Sequence, residues 1–157
     1  MTFPPAPAPM WFREKISVHP GERLVILDDN ASIHGVWQRR FAAFERWNVT
    51  LHNFSKAKDL ETWIATQRDF NHVLYLIDYE LLRNSANGLD VMERLNLRKQ
   101  SILVTSRFDD PGIRARAESM GVSMIPKSMA GLVPIDLEHS ASRLNKSVEV
   151  ELALHVL

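Results

Sequence analysis

At 157 residues, with 45% hydrophobic and 24% charged side chains, the chain has the composition of one globular domain with a sizeable core. Lysine and arginine together number 19, as do aspartate and glutamate, so the net charge argues against a general nucleic-acid or polyanion surface. The absence of cysteine excludes disulfides, thiolate metal sites and cysteine nucleophiles, and it fits a cytoplasmic location.

The chain opens "MTFPPAPAPMWF", where alternating Pro and Ala favour an extended polyproline-type segment. Residues 1–21 therefore read as a Pro/Ala-rich linker, as in a module joined to something longer. The pattern of a signal peptide is not seen there, and no apolar run reaches the length of a membrane span. "RLVIL" (23–27) predicts a strand buried on both faces, and it ends in two acids, Asp28 and Asp29. From Asn30 the period changes: Ile33, Val36, Trp37, Phe41, Phe44 and Trp47 describe one face of a helix, an aromatic stripe suited to core packing. "VTLHNF" (49–54) predicts a second strand, and Ser55 is placed to cap a helix carrying Leu60, Trp63 and Ile64.

"HVLYLID" (72–78) is the next apolar run and ends in Asp78. A loop comes next, then a helix with Leu89, Met92 and Leu95 on one face. "SILVTS" (101–106) ends in Thr105 and Ser106. Asp110 before Pro111 marks a helix start, with Gly121 as its stop. "VSMIPK" (122–127) ends in Lys127. The stretch from Ser128 is weakly helical and broken by Pro134. The domain is expected to span 22–145, with 146–157 as a C-terminal tail that alternates more like a strand than a helix.

Strand and helix alternate throughout, which predicts an α/β fold with an open, doubly wound parallel sheet. Ligands of such sheets gather at the carboxyl ends of the strands, where Asp28, Asp29, Asp78, Thr105 and Lys127 stand. Two unit charges 4 Å apart at an effective dielectric near 20 interact by roughly 4 kcal/mol, so converging carboxylates need a cation. An all-oxygen site suits Mg²⁺ or Mn²⁺. A lysine ammonium is the compact charge that a phosphate needs.

With "LVILDDN", "YLID", "VTS" and "IPK" in this order, and "ANGLDVMERL" after the third strand, the chain resembles the receiver domain of bacterial response regulators over about 23–145. The resemblance implies a flavodoxin/CheY-like five-stranded parallel sheet of order 2-1-3-4-5. It implies a phosphoacceptor of a two-component or phosphorelay pathway, not an enzyme acting on other molecules. Asp78 matches the phosphoacceptor, Thr105 the switch hydroxyl and Lys127 the phosphate-pairing lysine. Asp28, Asp29 and Asp78, with the backbone carbonyl of Glu80, match the Mg²⁺ (or Mn²⁺) ligands. The implied partners are a histidine kinase or histidine phosphotransfer domain and a downstream protein target, with no direct nucleic-acid or membrane contact. Homodimer formation is left open, as is the receiver part of a hybrid histidine kinase as the parent.

Three features depart from that family. Pro126 precedes Lys127 and Ser128 comes after it, where Lys-Pro is usual, so the bond after Lys127 is expected to be trans. Met124 stands where an aromatic switch residue is common, and Pro134 weakens a fifth helix. The altered lysine loop supports an alternative, a pseudo-receiver acting as a phosphorylation-independent interaction or dimerisation module. A related aspartyl phosphatase is disfavoured, because "DYELL" offers only Glu80 as a second acid. Glu80 and Arg107 flank the expected pocket and could pair over it. The six histidines are scattered without metal-ligand spacing, and His34 reads as polar packing.

Overall fold

Each strand of the central sheet is a short aliphatic run, and burial from both faces explains why so few polar residues interrupt it. The computed structural model describes residues 9–82 and 86–138. Its strands are β1 (Ile16–Val18), β2 (Arg23–Leu27), β3 (Thr50–Phe54), β4 (Val73–Ile77), β5 (Ser101–Thr105), β6 (Ser123–Pro126) and β7 (Ile135–Leu137). Its α-helices are α1 (Ala31–Phe41), α2 (Ala57–Thr66), α3 (Gly88–Arg94) and α4 (Pro111–Met120). The five-stranded sheet runs β3-β2-β4-β5-β6 with every pairing parallel. Because β1 precedes its first strand, this is the expected order 2-1-3-4-5 with the numbering moved by one.

The helix boundaries reflect local chemistry. Asn30 accepts from the Ser32 amide at 3.0 Å to start α1. Asp110 accepts from the amides of Gly112 and Ile113 to start α4, and Gly121, at φ 73°, ends it. The expected Ser55 cap is not used: α2 starts from Lys56 in an extended conformation with no side-chain cap. The aromatic stripe is core, with Ile33, Trp37 and Phe41 buried against one face of the sheet. Leu60 of α2, Leu89 and Met92 of α3, and Ile113 of α4 fill the other face.

The chain departs from expectation at both ends of the described region. Within the segment read as linker, Ile16 and Val18 are fully buried and pair in parallel with Ile135 and Leu137, forming a separate two-stranded sheet. Burying such aliphatic side chains contributes roughly 1.5–3 kcal/mol each, so these residues belong to the folded domain despite the Pro-Ala composition before them. The weakly helical stretch after Lys127 forms one 3-10 turn (Lys127–Met129) and then β7. Pro134 ends any helix there, and β1 and β7 pack with α1 on one face of the sheet. Residues 1–8, the end of the expected domain from 139 and the tail 146–157 lie outside the described residues.

Candidate functional site

Parallel registry fixes the site. Leu27 is paired with Ile77, so the chain leaves β2 and β4 at the same level with Asp28 and Asp78 side by side. Thr105 pairs with Pro126, which brings Lys127 off the neighbouring strand end. Together with Asp29, Asn30, Ala31, Glu80, Leu82 and Ser106, Asp78 and Lys127 line an open cleft of about 550 Å³.

Within it the Lys127 ammonium lies 2.8 Å from Asp78 Oδ2 and 2.9 Å from Asp28 Oδ2. One carboxylate oxygen from each of Asp28, Asp29 and Asp78 lies within 4.8 Å of the others. Asp28 and Asp78 are buried, at 2% and 4% exposure, while Asp29 is half-buried. Their other contacts hold them in place. Asp28 Oδ1 accepts from the Asn30 amide at 2.8 Å, and Asp29 Oδ2 accepts from the Leu82 amide at 2.8 Å.

Burial pushes the Asp78 carboxyl up to about 6; the Lys127 hydrogen bond opposes this and the Asp28 charge adds to it. Burial works to lower the Lys127 pKa, but hydrogen bonds from the ammonium to Asp78 and Asp28 outweigh it and hold the group above its ordinary value. Three carboxylates and one ammonium leave an uncompensated double negative charge. Three hard oxygen donors in reach of one point, short by two positive charges, fit a divalent cation such as Mg²⁺ or Mn²⁺.

Not every expected residue faces the cleft. Thr105 is fully buried, its hydroxyl accepting from the Arg107 amide at 3.0 Å, and Ser106 lines the cleft instead. The Glu80 amide donates to the Asp78 carboxylate, while its side chain pairs with Arg107 at 3.3 Å. Arg107 also reaches Asp110 at 3.1 Å. All described peptide bonds are trans, including the one after Lys127.

Two contributors have no motif to announce them. The His34 ring donates from Nε2 to the Asp28 carbonyl at 2.6 Å, and its Nδ1 lies 2.9 Å from Asn53 Oδ1. The imidazole thus ties the strand end carrying Asp28 to the end of β3. The second is the Leu82 amide, whose side chain says nothing of its use.

No protein-family model matches the sequence, and no curated protein matches it. Solved structures do. The RcsB response regulator of Salmonella typhimurium aligns with a TM-score of 0.55 at 15% identity, over 72% of this chain and 55% of that one. The chain thus spans about half of RcsB. The receiver domain of the Francisella response regulator 1452 aligns at 0.50 and 14% identity, over 82% and 94% of the two chains. The receiver domain of the histidine kinase CKI1 from Arabidopsis thaliana, solved with Mg²⁺ and BeF₃⁻, aligns at 0.50 and 14%, over 72% and 85%. The chain has the receiver fold of two-component response regulators.

Proposed function

We propose that this chain is a phosphoacceptor receiver domain that takes a phosphoryl group onto Asp78 in the presence of Mg²⁺. The observation that carries the reading is the Lys127 ammonium, held 2.8 and 2.9 Å from Asp78 and Asp28 in the cleft that Asp29 also lines. The Asp78 carboxylate attacks phosphorus in line, the bond to the donor imidazole or acyl oxygen breaks, and its electron pair leaves with the donor. Lys127 neutralises charge on the transferring oxygens, so positioning and electrostatics supply the catalysis. Asp28 and Asp29, with the Glu80 carbonyl, would hold the cation, which supplies further charge neutralisation when bound. His34 and the Asn30 and Leu82 amides keep the two acids oriented. Water later hydrolyses the acyl phosphate.

The donor is a histidine kinase or a histidine phosphotransfer domain in the cytoplasm. The output is a protein surface changed by the added charge, about two negative units and three acceptor oxygens. The Thr105 hydroxyl, which accepts from the Arg107 amide, turns to donate to a phosphoryl oxygen and draws the loop after β5 with it.

Incubation with Mg²⁺ and acetyl phosphate, with intact-mass and peptide analysis of the product, tests the reading. One phosphoryl group on Asp78, absent from Asp78→Asn and from the Mg²⁺-free reaction, is expected. Failure to label with acetyl phosphate, with phosphohistidine donors and with beryllofluoride would leave the pseudo-receiver reading, which the non-proline residue after Lys127 favours.

A further inference from the structure

A second group of ligating side chains sits at the other end of the sheet. His19–Glu22 forms a tight turn, with the Glu22 amide donating to the His19 carbonyl at 2.9 Å. Pro20 and Gly21, at φ 80°, occupy the two corner positions that such a turn favours. The Arg23 amide donates to the His72 carbonyl at 2.8 Å, bringing the residue before β4 alongside the residue before β2. His72 has φ 55°, a left-handed backbone uncommon for residues with a side chain.

The result is two imidazoles around one carboxylate. Glu22 Oε1 lies 3.7 Å from His19 Nδ1, and Glu22 Oε2 lies 3.7 Å from His72 Nδ1. The two rings are 5.1 Å apart between centroids, and one donor atom from each of the three residues lies within 4.8 Å of the others. His19 and Glu22 are buried, at 8% and 5% exposure, whereas the His72 side chain is 48% exposed and leaves a way in. On the far side of its ring, His19 Nε2 lies 3.5 Å from Glu138 Oε2, and the Glu138 amide donates to the Val18 carbonyl at 2.7 Å.

We propose that His19, Glu22 and His72 form a binding site for a divalent transition-metal ion of the zinc class, with Glu138 orienting the His19 ring. Metal–nitrogen and metal–oxygen bonds of about 2.0–2.2 Å put neighbouring ligands of a tetrahedral ion roughly 3.3–3.5 Å apart. The two His–Glu separations, each to a different Glu22 oxygen, are 3.7 Å, and all three donors lie within 4.8 Å, so side-chain movement must draw them in to close around one ion. Imidazole nitrogen selects such ions over Mg²⁺ or Ca²⁺. When His19 Nδ1 binds the ion, its Nε2–H faces the Glu138 carboxylate, the usual support of a metal-bound histidine. Water takes the fourth position on the exposed His72 side. The ion would tie the turn before β2 and the entry to β4 to the segment after β7, joining the two sheets. Five residues of β2, at roughly 3.3 Å each, separate it from the phosphoacceptor cleft, so it does not rest on the phosphoacceptor reading.

The test is Zn²⁺ titration of the tag-free full chain against a chromophoric chelator, with excess Mg²⁺ present to occupy the acidic cleft. One equivalent is expected to bind and to raise the melting temperature, because only the folded chain presents the three ligands together. Glu138→Gln should weaken binding by roughly 10–100-fold. His72→Asn, which keeps a residue tolerant of the left-handed backbone, should weaken it further. Asp78→Asn should leave it unchanged, and Co²⁺ should give a visible spectrum that His72→Asn abolishes. Zinc bound equally well by His72→Asn, or no zinc held against the chelator, overturns the site.

Discussion

Gly88 is where one added methyl group would collide with the backbone of Asp78, the proposed phosphoacceptor. A Cβ built there overlaps the Asp78 carbonyl oxygen and lies 2.9 Å from its carbon, and neither atom can yield without moving the strand end. Overpacking of this kind costs typically about 1–3 kcal/mol. Gly88→Ala is therefore expected to lower urea stability by that amount and to reduce Asp78 labelling by acetyl phosphate; wild-type labelling at unchanged stability would refute the packing argument. Glu80 offers the opposite case, an exposed residue whose effect should be kinetic. Glu80 lines the cleft and pairs with Arg107, which is anchored a second time by Asp110. Solvated pairs contribute little to stability, so Glu80→Ala should leave the melting temperature alone. If the pair hinders water, the same substitution shortens the lifetime of phospho-Asp78, measured by loss of label after desalting. An unchanged lifetime removes the gate.

Among the elements, α3 shows how a helix start can report on the sheet end beside it. Asn87 accepts from the Asp90 amide at 2.9 Å and Asp90 accepts from the Asn87 amide at 3.0 Å, a reciprocal cap that fixes Gly88 under Asp78. Arg116 of α4 reaches Asp90 at 2.8 Å, joining the two helices. Burial alone would raise the Asp90 pKa, but the Arg116 hydrogen bond and the Asn87 amide outweigh it and hold the carboxyl below its ordinary value. A depressed folded pKa means stability present above the unfolded value, near 3.8, and lost as pH falls through the folded one. Asp90→Asn keeps an oxygen for the Asn87 amide but loses the charge that Arg116 pairs with, so at this partly exposed, solvent-screened site it should cost up to about 1 kcal/mol at neutral pH and nearly nothing in strong acid. Chemical denaturation at the two pH values checks this. Such elements are legible in the sequence because their signals are local: "DDPG" starts α4 and "RLVIL" is β2 to the residue. The stretch after Lys127 is not, since "PIDL" becomes a strand only through β1, more than a hundred residues earlier in the chain. Periodicity does not see a partner at that distance.

For the molecule as a whole, the acids and the lysine are readable because a parallel sheet turns sequence order into neighbouring strand ends. The histidine cluster is not readable for the converse reason. His19 and His72 are separated by two strands and two helices, and only the pairing of β2 with β4 brings them together. The same holds for the N-terminal segment, which composition alone marks as linker. The Trp11 carbonyl accepts from the Met124 amide at 2.7 Å and the Arg13 amide donates to the Met124 carbonyl at 2.9 Å, so this segment covers the open edge of β6. The Trp11 ring stacks on Phe108, with centroids 6.1 Å apart and planes at 21°, and the Arg114 guanidinium lies 4.3 Å from the centre of its ring. Phe108 belongs to the loop after Thr105, the loop that must move with the hydroxyl if it turns toward a phosphoryl group. With Met124 on β6, Trp11 packs on that loop at Phe108, while the Tyr79 ring lies 6.0 Å from the Arg107 guanidinium at its start. Running such a switch from 1:99 to 99:1 takes roughly 5.5 kcal/mol of differential stabilisation, enough to rearrange one stacked pair. Beryllofluoride with Mg²⁺ should therefore change the tryptophan emission of the chain. Trp11→Phe should remove that change while leaving the labelling of Asp78 intact. An identical change in Trp11→Phe would mean that the loop moves without the N-terminal segment, and that the segment only shields the sheet edge.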